Sequence, residues 1–224
     1  MITEYTIIRS KRKTLALYIK DGRLEVRAPH KLSKSQIERF VSSKEGWITS
    51  KLTQSTERIE KKEAFELNYG DKILYLGKEC PIVAKDGKYY GFDSEIFYMP
   101  NGMNPNEIKN TCIKIYRDLA KSNIRRWTEK FSETMGVAPA SIKITSAKTR
   151  WGSCSSKGNI NFSWRLIMAD RKAVEYVIVH ELCHIKMMNH SKDFWKLVEG
   201  VLPDYREREA ILKKLQKRLA TENW

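Results

Sequence analysis

His180-Glu181-Leu182-Cys183-His184 puts two imidazoles and a carboxylate into one pentapeptide. On a helix the two histidines stand one turn apart, roughly 40° around the axis, which suits two nitrogen ligands on one zinc ion with the glutamate beside them. Of the four histidines in the chain, a third, His190, follows closely. A catalytic zinc takes three protein ligands and keeps one position open. His190 is the best third ligand if the helix breaks after His184, because an unbroken helix would turn it away from the pair. Asn189 can take a left-handed conformation at little cost, and Ser191 can cap a new helix through Asp193, Phe194, Trp195 and Leu197. Glu199 on that helix is the competing ligand. In such a site zinc lowers the pKa of its water toward about 7, and Glu181 takes the water's proton and returns it to the leaving group.

Helical phase sharpens this reading. Val174, Val177, Ile178, Leu182 and Ile185 form one apolar stripe, and Glu181 falls inside it. A carboxylate turned toward a core is costly without a metal-bound water, a proton or a cation as partner. Negative charge developing in a reaction needs a second electrophile, for which Arg150 is a candidate; an ion pair anchoring its loop is the competing role. Trp151 and Trp164 are expected to pack, Gly152 and Gly158 to serve a turn, and Asn159 and Asn161 to orient a histidine or simply face solvent. Cys80, Cys112, Cys154 and Cys183 form no C-x-x-C pair, so neither a disulfide framework nor a cysteine zinc knuckle is indicated. Cys183 points away from the stripe and is expected to pack under a neighbouring element.

These residues need elements to hold them. Leu15, Leu17 and Ile19 alternate with other residues, Asp21-Gly22 interrupts, and Leu24 and Val26 resume, a hairpin that sets Ile19 opposite Leu24 and Leu17 opposite Val26. Ser33 or Ser35 then caps a helix carrying Ile37, Phe40, Val41, Trp47, Ile48 and Leu52, which ends near a charged, linker-like stretch from Glu57 to Glu63. From Tyr69 to Met99, short apolar runs broken by glycine and aspartate predict a small antiparallel sheet. Asn104-Pro105-Asn106-Glu107 opens a long helix that Gly136 closes. Strands are expected from Ile142 to Ser146 and from Asn159 to Trp164, then the motif helix from about Arg171 and a last amphipathic basic helix with Ile211, Leu212, Leu215 and Leu219. The fold class is α+β: a β-rich amino-terminal region with one helix, 1–103, and a helix-rich domain carrying the chemistry, 104–224.

The chain has 224 residues and is 41% hydrophobic, enough for a substantial core. It has no run approaching the roughly 18 apolar residues of a membrane span, and Met1-Ile2-Thr3-Glu4-Tyr5 lacks a signal-peptide hydrophobic region, so a soluble cytoplasmic protein is expected. The net charge of +15 is spread along the sequence. It predicts attraction to polyanions or anionic substrates, nucleic acid or nucleotide included, against the alternative of a merely well-solvated surface.

The spacing of His180, His184 and His190 matches H-E-x-x-H-x-x-G-x-x-H with Met187 in the glycine position. Together with Thr149 to Ser155, Asn159-Ile160-Asn161, Asn189 to Trp195, the amino-terminal hairpin and Trp47-Ile48, the chain resembles the YgjP-like family of predicted bacterial zinc metallopeptidases. That resemblance implies a zincin-like catalytic domain with His180, His184 and His190 as zinc ligands; the family in turn resembles the SprT and WLM groups, which include proteases acting on DNA-bound proteins. The expected function is a zinc metallopeptidase acting on an extended peptide or protein. The alternatives are a zinc hydrolase of nucleotides or other phosphate compounds, and a nucleic-acid-associated module in which zinc is structural.

Overall fold

The computed structural model describes residues 4–224, so Met1 to Thr3 of the segment read for a signal peptide lie outside the described residues. The chain divides into two compact units, one of residues 1–65 with 219–223, the other of 66–218 with 224. The division by chemistry expected from the sequence falls instead at 103/104.

In the first unit, β1 (Thr6–Ser10), β2 (Ala16–Lys20) and β3 (Arg23–Pro29) form a sheet in the order β1-β3-β2. The β2–β3 hairpin has the expected register, with Ile19 opposite Leu24 and Leu17 opposite Val26. Asp21 and Gly22 make the turn at φ 49° and 74°, the left-handed pair that a two-residue hairpin needs. Two helices follow where one was expected, α1 (Lys34–Ser43) and α2 (Glu45–Glu63), separated at Lys44. Ser33 caps α1 and makes the capping box with Gln36. Leu24, Val26, Ala28, Ile37, Val41 and Ile48 are the core of this unit. The charged stretch Glu57–Glu63 is the end of α2 rather than a linker, because Glu, Lys and Arg are good helix formers even without an apolar face.

The second unit begins with β4 (Lys72–Tyr75), β5 (Lys78–Lys85), β6 (Gly91–Phe92) and β7 (Phe97–Pro100), in the order β4-β5-β7-β6. The expected all-antiparallel sheet is corrected here: β7 pairs with β5 in parallel, since β6 has moved to the outer edge. Alternation of apolar residues fixes which face is buried, not which neighbour a strand takes. α3 (Pro105–Met135) has the Asn104–Glu107 capping box, Pro105 in its first turn and Gly136 in the left-handed closing position at φ 60°.

A second sheet follows, of β8 (Ser141–Thr145), β9 (Gly152–Cys154) and β10 (Asn159–Ser163), ordered β8-β10-β9 so that β9 is an edge strand. A 3-10 turn, Trp164–Met168, leads to α4 (Arg171–Lys186), α5 (Lys192–Val201) and α6 (Tyr205–Leu219). Phe97, Tyr116, Phe162, Trp164 and Ile178 are fully buried between these elements. Backbone N–H groups of Leu76 and Gly77 donate to the carbonyls of Ile167 and Met168 at 2.9 and 3.2 Å, and the Tyr116 hydroxyl donates to the Leu74 carbonyl at 2.6 Å. The 72–100 sheet is thereby tied to the helices that carry the motif. The α+β class stands, with 3 small sheets among the described residues. Among the described residues no helix is long and apolar enough to cross a membrane.

Candidate active site

α4 carries His180, Glu181 and His184 on one stretch whose apolar neighbours, Val177, Ile178 and Leu182, are buried. The helix ends at Lys186, and Met187 closes it in an extended conformation, φ −147°. A glycine's freedom is not needed there, which is why methionine can occupy that place in the pattern. Asn189 does not adopt the expected left-handed conformation, since it is absent from the residues with positive φ. Its side chain makes the turn instead: Asn189 Oδ1 accepts from Ser191 N–H at 3.3 Å. Ser191 then caps α5 as expected, accepting from Phe194 N–H at 3.4 Å.

This break returns His190 to the pair. His180 Nε2 lies 3.3 Å from His184 Nε2 and 3.1 Å from His190 Nε2. The ligand atoms these three residues offer are all within 4.8 Å of one another. His184 Nδ1 is 3.1 Å from the Met187 carbonyl oxygen, which can only accept, so the ring's proton sits on Nδ1 and its Nε2 carries a lone pair. Burial and the other two imidazoles pull the pKa of His180 down to about 4, and burial pulls that of His184 down as well. Three imidazoles converging through Nε2 are the geometry that a metal ion takes, so the residues present fit one. His180 Nδ1 is buried without a hydrogen-bond partner. Its ring is positioned by packing instead, with Tyr176, Phe194 and Trp195 at centroid distances of 5.8, 5.0 and 5.8 Å. Phe194 also stacks on His184 at 4.6 Å.

Glu181 is 6% exposed, and burial lifts its pKa to about 7 against the opposing pull of Arg150. Its carboxylate lies on the backbone of β9. A Cβ built on Gly152 would stand 2.6 Å from Glu181 Oε1 and 2.9 Å from Cδ. Gly152 therefore serves a close approach rather than a turn, while Gly158, at φ 74°, does serve the β9–β10 turn. Ser163 at the end of β10 holds the segment that leads into β9: its N–H donates to the Trp151 carbonyl at 2.8 Å, and its Oγ to that of Ala147 at 2.7 Å.

The other residues read from the sequence fall as follows. Arg150 is exposed and close enough to act electrostatically on Glu181. Trp164 is buried in the core, whereas Trp151 is half-buried and lines a cavity that also borders His180 and Glu181. Asn159 accepts from Ser141 Oγ at 2.7 Å and Asn161 sits in the β10 ladder between Lys143 and Ser153; both serve the sheet. Glu199 is exposed and lines a different cavity with Lys192, Trp195 and Arg206, outside the histidine cluster. Cys183 is buried, and burial pushes its thiol up to about 11.

No curated protein matches the chain. Among solved structures, it is similar to the abylysin metallopeptidase zymogen of Pyrococcus abyssi, at 24% identity and TM-score 0.38 over 44% of this chain and 97% of that one. It is also similar to the jannalysin metallopeptidase zymogen of Methanocaldococcus jannaschii, at 22% identity and TM-score 0.37 over 43% of this chain and 97% of that one. The YgjP-like metallopeptidase domain matches residues 13–215, both units included, and the chain belongs to that family.

Proposed function

We propose that the protein is a zinc-dependent metallopeptidase in which His180, His184 and His190 hold the ion and Glu181 is the general base. The observation that carries this reading is the convergence of three imidazole Nε2 atoms next to a buried carboxylate. Zinc bound there would supply a Lewis acid for the scissile carbonyl and a water acidified toward pH 7.

The chain's own groups do the rest. Glu181, whose pKa burial raises to about 7, accepts the proton of the attacking water and passes it to the departing amine; a group with a pKa near the working pH does both with little penalty. The Gly152 backbone fixes where that carboxylate stands. The guanidinium of Arg150, exposed and within electrostatic reach of Glu181, is the proposed partner of the oxyanion as it forms. β9, at the edge of its sheet, offers backbone groups to an extended peptide, the recognition mode in which main-chain hydrogen bonds give affinity and pockets for alternate side chains give specificity.

The test is Glu181→Gln. The amide keeps the shape and loses the base, so zinc content and fold are expected to persist while peptide hydrolysis falls by about 100-fold or more. Full turnover by this variant would end the mechanism, and loss of metal or fold would make Glu181 structural.

A further inference from the structure

A cavity of about 230 Å³ opens beside His180 and Glu181, between β9, α4 and α6. Small-molecule sites run from about 300 to 1,000 Å³, so this cavity suits one side chain rather than a nucleotide or a whole small substrate. Trp151, Tyr176, Val177 and Leu212 form its apolar walls, and the last three are each less than a tenth exposed. α6 contributes Glu209, Leu212, Lys213 and Gln216, spaced as one helix face. Of these, Lys213 and Gln216 are exposed and Glu209 is half-buried, and Lys213 pairs with Glu209 at 2.9 Å. The charges that α6 brings are thus matched within the chain, and the walls that face His180 and Glu181 are apolar.

We propose that this cavity is the subsite for one bulky apolar side chain of the substrate, and that Leu212 of α6 sets its size. The inference rests on the peptidase reading above. An extended peptide lying along β9 turns alternate side chains to opposite faces. One of them then enters the cavity that His180 and Glu181 border, next to the bond being cut. Specificity follows from how much apolar volume the walls admit, and the carboxy-terminal helix, not only the motif helix, becomes a determinant of substrate choice.

The experiment digests a proteome-derived peptide library with the zinc-loaded chain and reads the cut sites by mass spectrometry, with Glu181→Gln as background. The expected result is enrichment of leucine, methionine or phenylalanine at one position beside the cut. For peptides identical except at that position, the leucine-to-alanine ratio of kcat/KM should be roughly tenfold or more. Leu212→Trp should collapse that ratio, and Leu212→Ala should shift the preference toward larger rings. Binding of the same peptides to Glu181→Gln, and to its double variants at Leu212, should follow the same order without turnover. Circular dichroism identifies any variant that fails to fold, and the other variant then decides.

Cleavage with no preference, or with a preference unchanged in both folded Leu212 variants, overturns the subsite and leaves the peptidase reading intact. A preference for lysine or arginine that is lost in Glu209→Gln overturns it in favour of an acidic subsite. No Glu181-dependent cleavage at all removes the peptidase reading, and the subsite with it.

Discussion

Glu181 and Gly152 meet so closely that a methyl group between them has no room. The atoms in its way belong to the glutamate side chain, which can move, so Gly152→Ala should displace Glu181, the proposed base, more than it disturbs the fold. The expected loss is about 1–3 kcal/mol of stability, typical of overpacking, with a fall of about 100-fold in kcat/KM from a misplaced catalytic group. Zinc content should hold; urea unfolding, peptide kinetics and metal analysis check the three. His190→Ala and Glu199→Ala separate the proposed third ligand from its competitor. Metal analysis should find zinc well below one per chain in the first and unchanged in the second, because Glu199 faces a different cavity. The pentapeptide, the third histidine and the buried glutamate were legible in the sequence, since ligand spacing and helical phase are local properties. The role of Gly152 was not, because its partner is far along the chain. Nor was the way Asn189 turns the backbone: its residue type permits both a left-handed φ and a side-chain-mediated turn, and only the geometry chooses.

At the level of elements, capping and hairpin chemistry were read correctly at Ser33, Asp21-Gly22, Asn104 and Ser191, where a side chain's bonds to its own neighbours decide the conformation. What escaped was short or non-local. β9 spans only Gly152–Cys154, below the length at which alternation can be seen. The parallel pairing of β5 with β7 depends on where β6 goes. These non-local contacts bear on where the catalytic domain begins. The bonds from Leu76 and Gly77 to Ile167 and Met168, and from Tyr116 to Leu74, predict that residues 104–224 need the 72–100 sheet to fold. Each buried group left without its partner costs about 1–3 kcal/mol. A chain starting at Glu66 should therefore melt cooperatively while one starting at Asn104 should not, as followed by circular dichroism.

The net charge of +15 belongs to the molecule as a whole. Distributed cations attract a polyanion by counterion release, so duplex or single-stranded DNA should bind at low salt with an affinity that drops by about 1,000-fold or more between 50 and 200 mM salt if six or more phosphates are engaged. Arg150→Ala should barely change it. A shallow salt dependence with a marked loss in Arg150→Ala would instead identify local phosphate recognition, and no binding at low salt would reduce the charge to a solubility feature. Fluorescence anisotropy at two salt concentrations reads all three. The close approach at Gly152 has a consequence beyond chemistry. Every amino acid that a single base change can put in glycine's place brings a Cβ with it. The position against which Glu181 sits therefore has no silent neighbours among protein variants one mutational step away, and a lineage that came to use this scaffold without hydrolysis would be free to record the change there.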